Sequence, residues 1–406
     1  MPPTPLPTSP DTRIRHGTPE FRRTTLAIAS AGFATFALLY CVQPLMPVFA
    51  KTFHVNAAQS SLSLSLTTGL LAPSMIVAGV MSEARGRKPL MVASLFASSV
   101  LMLLCAVAPR WSVFLAFRAV AGIAFAGLPA ISMAYLSEEV HPTSIGLSMG
   151  LFIGGNGLGG MMGRLAVSYV ADVLSWRYAL AMIGTLGVVA TGIFWRTLPP
   201  SRHFTSRPTS VSNLLTTFRQ QLGEPRLASL FVIGFLLMGS FVTTYNYASY
   251  HLMEPPYSLS QAAVGLIFIV YLVGIFASAW IGSLADRVGR GKMLRLMTLL
   301  MLAGIALTLT RPLPLVVLGV TTVTFGFFGG HSVASSWVGL RAHWAKAQAA
   351  ALYLFFYYVG SSVAGSAGGL FWDRFRWQGV MAFVASMVVV AFAMSVIAAR
   401  ESATIA

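Results

Sequence analysis

The chain has 406 residues, of which 56% are hydrophobic and only 9% are charged, and its formal net charge is +16. Soluble domains are about 25% charged, so this composition excludes an ordinary soluble protein. Apolar runs of about 20 residues recur along the chain, and each is long enough to cross a bilayer as a helix, whereas a membrane barrel would need short alternating strands. The sequence therefore predicts an all-α polytopic membrane protein. Its positive charge does not indicate nucleic acid, because basic residues of membrane proteins collect in cytoplasmic loops.

Residues 1–21 are rich in Pro, Ser and Thr and are predicted to form a disordered cytoplasmic tail. Twelve spanning helices follow, arranged as two six-helix repeats. The predicted spans are 24–48, 60–81, 90–108, 111–136, 143–170 and 178–198, then 227–251, 261–284, 293–310, 313–340, 346–370 and 379–399.

The only long polar connection divides the chain into two bundles, 22–198 and 226–406, joined by a cytoplasmic linker at 199–225. Apolar residues fall at helical spacing inside this linker. The spacing fits an amphipathic helix on the membrane interface, or else a solvated linker. The apolar positions are Val211, Leu214, Leu215, Phe218 and Leu222.

A charged, Gly-punctuated turn at 282–292 has a weaker copy at 79–88, 203 residues earlier. Asp172 and Trp176 likewise match Asp373 and Trp377 at an offset of 201 residues. Near-constant offsets indicate a parallel repeat, which forms two related bundles with the substrate site between them near the bilayer midplane.

The distribution of Lys and Arg predicts the topology. With the amino terminus in the cytoplasm, most basic residues fall in inside loops, and few fall outside, Arg164 among them. This asymmetry predicts that both termini are cytoplasmic and that the protein is a multi-pass protein of the cell (inner) membrane.

The second turn, Gly-Ser-Leu-Ala-Asp-Arg-Val-Gly-Arg at 282–290, resembles the loop signature of the major facilitator superfamily. The first copy departs from that signature, with Glu83 in place of Asp and Ala84 in place of Arg. Glycines allow tight bends there, and an acid at a helix end can pair with Arg or cap a helix. The turns are thus predicted to latch two conformations, or else only to fix topology. The predicted latch residues are Gly79, Glu83, Gly86, Arg87, Gly282, Asp286, Arg287, Gly289 and Arg290.

Two further motifs extend the resemblance, which covers about residues 22–400. Arg118, followed by Gly122, resembles the family's fourth-helix motif, and the glycine-rich fifth helix looks like the antiporter motif of exporters, with Asn156 where that motif usually has Pro. Small residues allow close helix packing in lipid. The predicted packing residues are Gly150, Gly154, Gly155, Gly159 and Gly160.

Charges at membrane depth are costly and mark functional sites by default. Arg118 and His331 are the two predicted here, and all acidic residues fall in tails, loops or helix ends. Exporters of bulky cations generally need a buried negative charge, so a neutral or anionic substrate fits better. Arg118 either meets the substrate or binds backbone carbonyls. His331 is the candidate proton carrier, because histidine titrates near neutral pH, or else a satisfied packing residue.

Polar and aromatic residues in the predicted helices are further candidates for the substrate cavity, although each also fits an interhelical hydrogen bond or an interfacial anchor. They are Tyr40, Gln43, Asn156, Tyr245, Asn246 and Tyr357.

The resemblance to bacterial drug- and sugar-efflux permeases implies a secondary transporter, which exports a small neutral or anionic solute with proton coupling. Uptake by symport is the alternative reading. A membrane enzyme would need a converging set of catalytic side chains, and a non-transporting receptor would bind without counterflow. No Walker-type phosphate loop is present. The sequence thus predicts no enzyme activity, no cofactor, no metal and no nucleic-acid partner, and a monomer suffices because one chain carries both halves.

Overall fold

The computed structural model describes residues 13–204, 211–342 and 344–399. These residues form helices, apart from one isolated parallel bridge between Ile14 and Val140. The helices of the first half are α1 (Pro19–Phe53), α2 (Ala57–Arg85), α3 (Arg87–Ala106), α4 (Trp111–Glu139), α5 (Pro142–Val173) and α6 (Trp176–Thr197). The predicted all-helical membrane fold is confirmed.

The second half repeats this arrangement after a linker helix at Val211–Leu222. Its helices are α7 (Pro225–Met253), α8 (Gln261–Val288), α9 (Arg290–Thr308), α10 (Leu313–Arg341) and the segment Lys346–Ala399, which contains α11 and α12. A straight helix of those 54 residues would be about 80 Å long, far more than the ~30 Å of a bilayer core. Arg376, with φ 53° and ψ −147°, breaks the helix and separates α11 from α12.

Two of the described membrane helices, α1 and α8, contain a 3₁₀ segment. In α1 the α-helix ends at Tyr40, and a 3₁₀ turn, Gln43–Leu45, precedes the next helical segment. Proline lacks a backbone N–H and clashes with the preceding turn, and Pro44 lies inside this 3₁₀ turn. In α8 the 3₁₀ segment Leu266–Val270 leads into the helix that begins at Tyr271. Irregular backbone is tolerated at membrane depth where protein buries it.

Both charged turns are built on a left-handed glycine. Gly86 ends α2 with φ +90°, and Gly289 ends α8 with φ +102°. Each is followed at once by the arginine that begins the next helix. L side chains avoid such positive φ values, so glycine is needed at both positions. Since six crossings separate the two turns, they lie on the same membrane face, called here the turn side; the opposite face is the far side.

The segment before α1 corrects the predicted disordered tail at residues 13–21. Ile14 is buried, its N–H donates to the Glu139 carbonyl at 2.8 Å, and its carbonyl accepts from His141 N–H at 2.9 Å. Thr18 then caps the start of α1. Two buried apolar residues, Ile14 and Phe21, thus anchor a stretch whose average composition predicts disorder. Residues 1–12 lie outside the described residues.

Candidate functional site

The two halves meet on the far side. Tyr250 of α7 and Ser60 of α2 place their hydroxyl oxygens 2.6 Å apart, and the Gln261 amide of α8 donates to the Pro44 carbonyl at 2.9 Å. Asp172 of α5 also accepts from the Gln261 backbone N–H at 3.2 Å. These polar contacts lie beside closely packed helices. They join the two halves and hold the far side closed.

The contact between the halves continues to about mid-membrane. Ser362 of α11 donates to the Ser65 carbonyl of α2 at 2.6 Å. A methyl group built on Gly69, one turn further along α2, would lie 3.3 Å from the Ser362 Cβ. The interface thus runs from the far side to the middle of α2.

Arg164 lies at the centre of this interface. It occupies the far-side part of α5, and its side chain is 2% exposed. Its Nε donates to the Gln43 Oε1 at 2.7 Å, and its Nη1 donates to the Gly160 carbonyl at 2.6 Å. A guanidinium buried at this depth is costly, so Arg164 is a candidate functional residue.

Aromatic rings from both halves surround the Arg164 guanidinium. Its Cζ lies 4.6 Å from the ring centroid of Tyr40 in α1. The rings of Tyr271 and Phe268, both in α8, are 4.9 and 5.1 Å away. These cation–π contacts stabilise a positive charge that has left water, and two of the three cross from one half to the other.

Gln43 links Arg164 to the second half. Its Nε2 donates to the Asn246 Oδ1 of α7 at 2.7 Å, and both side chains are buried. The two residues are 203 apart, which is also the offset of the two glycine turns, so they occupy equivalent positions in the repeats. This hydrogen bond therefore crosses the two-fold axis that relates the halves.

The placement of Arg164 corrects the sequence analysis, which grouped it with the outside loops. The predicted fifth span, 143–170, already contained residue 164. The sequence therefore already indicated the position of Arg164. An arginine inside a predicted span lies in the membrane and should not be counted with the loop residues. Among the described residues, two buried arginines thus lie inside membrane spans, Arg118 and Arg164, where the sequence predicted one.

Arg118 is fully buried in the first half and bound to main-chain carbonyls. Its Nε donates to the Ser63 carbonyl at 2.7 Å and its Nη2 to the Leu39 carbonyl at 3.0 Å. Both acceptors belong to α1 and α2. The geometry favours the second of the two predicted roles, a structural partner for carbonyls.

His331 forms a second cluster, between α10 and α11. Its Nδ1 is 2.9 Å from the Tyr353 hydroxyl, and its ring lies 4.8 Å from the Tyr357 ring and 5.9 Å from that of Phe327. The side chain is half-buried. In the part of the chain that the structure describes, no group of three or more His, Cys, Asp or Glu side chains could hold a metal ion.

The remaining predicted cavity residues separate into two groups. Tyr245 is buried behind the Arg164 cluster, 5.3 Å from both Phe268 and Tyr271, and its hydroxyl is 2.8 Å from that of Thr324. Asn156 instead faces α1, because a methyl group on Gly32 would clash with its Oδ1. The structure thus gathers Tyr40, Gln43, Tyr245 and Asn246 around Arg164, and leaves Asn156 outside.

The charged side chains of the turns pair within their own halves. Arg87 binds Glu138 of α4 through two hydrogen bonds, 2.7 Å from Nη2 and 3.2 Å from Nε. Asp286 pairs with Arg290, four residues later in the same turn, and Arg287 is exposed. The first pair was not predicted, because Glu138 lies on another helix.

The glycines of α5 differ in their surroundings. Gly155, Gly159 and Gly163 follow one another at four-residue spacing, and methyl groups built there would meet the backbone of α1. On Gly155 the methyl would lie 2.5 Å from the Ala29 carbonyl oxygen. Gly150 and Gly154 have no described atom within 4 Å of such a methyl, so the predicted packing role does not apply to them. Gly160 instead supplies the carbonyl that binds Arg164.

The model of the Major Facilitator Superfamily matches residues 28–364. The chain belongs to this superfamily. It is 50% identical over 390 residues to the uncharacterized MFS-type transporter YybF of Bacillus subtilis, covering 96% of each chain. It is 48% identical over 384 residues to the inner membrane transport protein YnfM of Escherichia coli, covering 94% of this chain and 92% of YnfM.

Solved structures share the fold at low identity. A bacterial homologue of the lysosomal transporter Spinster, in an inward-facing and unoccupied conformation, superposes with a TM-score of 0.78 at 16% identity over 94% of this chain and 97% of that chain. The nucleoside transporter NupG gives 0.77 at 16% identity, over 93% of this chain and all of that chain. The protein is therefore a multi-pass membrane transporter of the secondary, alternating-access type.

Proposed function

We propose that this transporter exports a small neutral or anionic solute in exchange for protons. The observation that carries the proposal is the Arg164 cluster: a buried guanidinium at the contact between the halves, with no carboxylate among its described contacts. Such a site repels a cationic substrate and accepts a neutral or negative one.

The direction of export rests on orientation. We propose that the turn side faces the cytoplasm, because most Lys and Arg residues lie on it. The far-side contacts then close the cavity to the exterior, so that solute enters from the cytoplasm. The inner-membrane name of YnfM supports a location in the cell (inner) membrane.

His331 is the proposed proton carrier. It is half-buried in the second bundle, next to the hydroxyl of Tyr353 and the ring of Tyr357, and histidine changes charge near neutral pH. The charged turns are the proposed latch of the turn side, and the close contact between α1 and α5 is the proposed seal along the first bundle.

Uptake by symport is the second candidate. One observation favours it, namely Asn156 at the position where the exporter motif usually carries Pro. Direction would then be set by the gradients rather than by the site, since the same alternating movement serves both.

Reconstitution tests these proposals. The purified chain is placed in liposomes under an imposed proton gradient, and internal pH is followed while sugars, organic acids and neutral antibiotics are added. Proton movement triggered by one of them is the expected result, and the direction of solute movement separates exchange from symport. Net movement of a solute with no accompanying proton movement would contradict proton coupling.

A further inference from the structure

This inference rests on the proposed function and narrows its substrate class. We propose that the transported solute is a small organic anion, and that Arg164, assisted by Gln43 and Asn246, binds its carboxylate.

The charge of Arg164 is the first argument. Its described partners are all uncharged: one amide oxygen, one main-chain carbonyl and three aromatic rings. Burying a guanidinium without a negative partner is costly, and an incoming carboxylate offsets that cost. Arg118 shares the burial but contacts only its own half, so it is not placed to meet a solute between the halves.

The orientation of the two amides is the second argument. Arginine can only donate, so the Gln43 atom that faces Arg164 Nε must be its oxygen. The Gln43 nitrogen must then donate to Asn246, which fixes the Asn246 oxygen toward Gln43. Asn246 is left with its Nδ2 directed elsewhere, buried and without a hydrogen-bond partner among the described residues.

Within the described part of the chain, the buried polar groups without a partner at this site can each donate a hydrogen bond, and the hydroxyls of Tyr271 and Ser65 can also accept one. Besides Asn246 Nδ2, the Tyr271 hydroxyl is buried without a partner. A buried donor without an acceptor is unfavourable, and charge-assisted bonds to a carboxylate are the strongest replacement.

The repeat explains why Asn246 is unpaired. The offset of 201 residues that relates Asp172 to Asp373 places Gly365 of α11 opposite Arg164 of α5. A methyl group built on Gly365 would lie 3.1 Å from Asn246 Nδ2. In the first half, Arg164 thus donates a hydrogen bond to the Gln43 amide. At the equivalent position of the second half, Gly365 has no side chain that could bond to the Asn246 amide. A ligand oxygen is the missing acceptor.

The residues that line the site indicate the chemical character of the rest of the ligand. Tyr40, Phe268 and Tyr271 are buried aromatic rings, and apolar lining with a few converging polar groups is typical of small-molecule sites. An organic anion with an apolar or aromatic body fits these walls better than a small inorganic anion does.

Gln43 couples binding to the movement of the halves. It accepts from Arg164 in its own half and donates to Asn246 in the other. A carboxylate that binds Arg164 competes with Gln43 and loosens this bond across the interface. Because the ligand then favours the state in which the far side is open, binding shifts the equilibrium toward release.

Benzoate and its neutral isostere benzamide test the charge requirement. Thermal unfolding of the full chain in detergent is measured against the concentration of each compound. We expect benzoate to stabilise the protein and benzamide to have little effect.

Arg164→Gln should raise the benzoate concentration at half-effect roughly 10- to 100-fold. Arg311→Gln, which removes the same charge from an exposed far-side position, should leave it unchanged. Equal effects of the two compounds, no effect of benzoate on the parent protein, or unchanged affinity in Arg164→Gln would each overturn the proposal.

Gln43→Glu is the second variant, and it keeps the proposal testable if Arg164→Gln does not fold. It supplies Arg164 with a built-in carboxylate of nearly the same shape. We expect a higher unfolding temperature than the parent and loss of the benzoate effect. Benzoate binding equal to that of the parent in this variant would overturn the proposal.

Transport assays separate this inference from the proposed function. Binding of benzoate that depends on Arg164, without benzoate counterflow in liposomes, would support the site and contradict the transport of this anion. Counterflow of sugars or neutral antibiotics without any benzoate binding would support transport and overturn the anion site.

Discussion

At the scale of single residues, burial and bonding separate two arginines that the sequence presents alike. Arg118 and Arg164 both lie in apolar helices and both are buried. The carbonyls that bind Arg118 come from neighbouring helices of its own bundle, which suits a structural role. Arg164 instead contacts both halves. Substitutions of Arg164 should therefore affect both solute binding and the movement of the two halves.

A proton-carrier role of His331 predicts a selective defect. His331→Gln should abolish solute-driven proton movement and leave solute counterflow intact, because exchange of solute for solute needs no net protonation. Internal pH and counterflow are measured on the same liposomes. His251→Gln is the matched control, since His251 is also half-buried and stacks on Trp377, but near the far-side end of α7. Proton movement that persists in His331→Gln would reject this role.

The two ion pairs of the turn side predict different stability effects. Arg87 and Glu138 form a largely buried pair with two hydrogen bonds, so Glu138→Gln should cost about 1–3 kcal/mol. Asp286 is 62% exposed in its pair with Arg290, so Asp286→Asn should cost less than about 0.5 kcal/mol. Thermal unfolding of the two variants checks this order, and equal losses would contradict it.

The latch role adds a prediction about rate. Asp286→Asn should slow solute counterflow although it folds normally, because the charged turn no longer stabilises one of the two conformations. Counterflow in liposomes is compared with that of the parent at matched protein density. A normal rate in a folded Asp286→Asn protein would remove the latch role of this residue.

At the scale of elements, the close contact between the backbones of α1 and α5 organises the packing of the first bundle. Three glycines of α5, at positions 155, 159 and 163, lie against Ala29, Phe33 and Ala37 of α1, which also recur every four residues. Apolar burial between helices drives little association in lipid, so close van der Waals packing must supply it. This explains the glycines at 155, 159 and 163, whereas Gly150 and Gly154 lie outside this contact.

Two glycines of α5, one turn and a half apart, test this packing. Gly159→Ala should destabilise the fold by about 1–3 kcal/mol, because its methyl would clash with the Phe33 carbonyl oxygen. Gly154→Ala should leave stability unchanged or raise it by less than about 1 kcal/mol, since its methyl meets open space and alanine favours helix. Thermal unfolding measures both, and equal effects would argue against the contact.

At the scale of the whole molecule, the described contacts between the halves run from the far side to mid-membrane. Alternating access requires these contacts to break when the far side opens. The bond between Gln43 and Asn246, which crosses the two-fold axis, lies among them. The same residues therefore serve ligand recognition and closure.

A disulfide tests this requirement. A Cβ built on Gly69 would lie 3.3 Å from the Ser362 Cβ, close to the range of about 3.5–4.5 Å found in disulfides. The double variant Gly69→Cys/Ser362→Cys should stop counterflow on oxidation and regain it on reduction. The two single variants are the controls, because each retains the native cysteines and cannot form this bridge. Full activity of the oxidised, cross-linked protein would show that these helices need not separate.

The sequence by itself determined the twelve helices, the repeat and the glycine turns. Helix length follows from bilayer thickness, and glycine is the residue that most readily adopts the φ of +90° to +102° found at the two turns, so both features can be predicted from the sequence. It also placed Gln43, Asn246, Tyr40 and Tyr245 among the cavity candidates. Whether each of these faced a partner helix or the cavity stayed open, because helices that are apolar on most sides carry little sign of their rotation.

Only the tertiary structure decided which side chains meet. Hydropathy does not report that Arg164 turns inward, that Gln43 reaches Asn246 across 203 residues, or that Glu138 pairs with Arg87. Nor does the composition of the amino-terminal segment report that Ile14 is buried against the loop after α4. Each of these contacts depends on how helices rotate and pack against one another, and long-range packing is not contained in local sequence pattern.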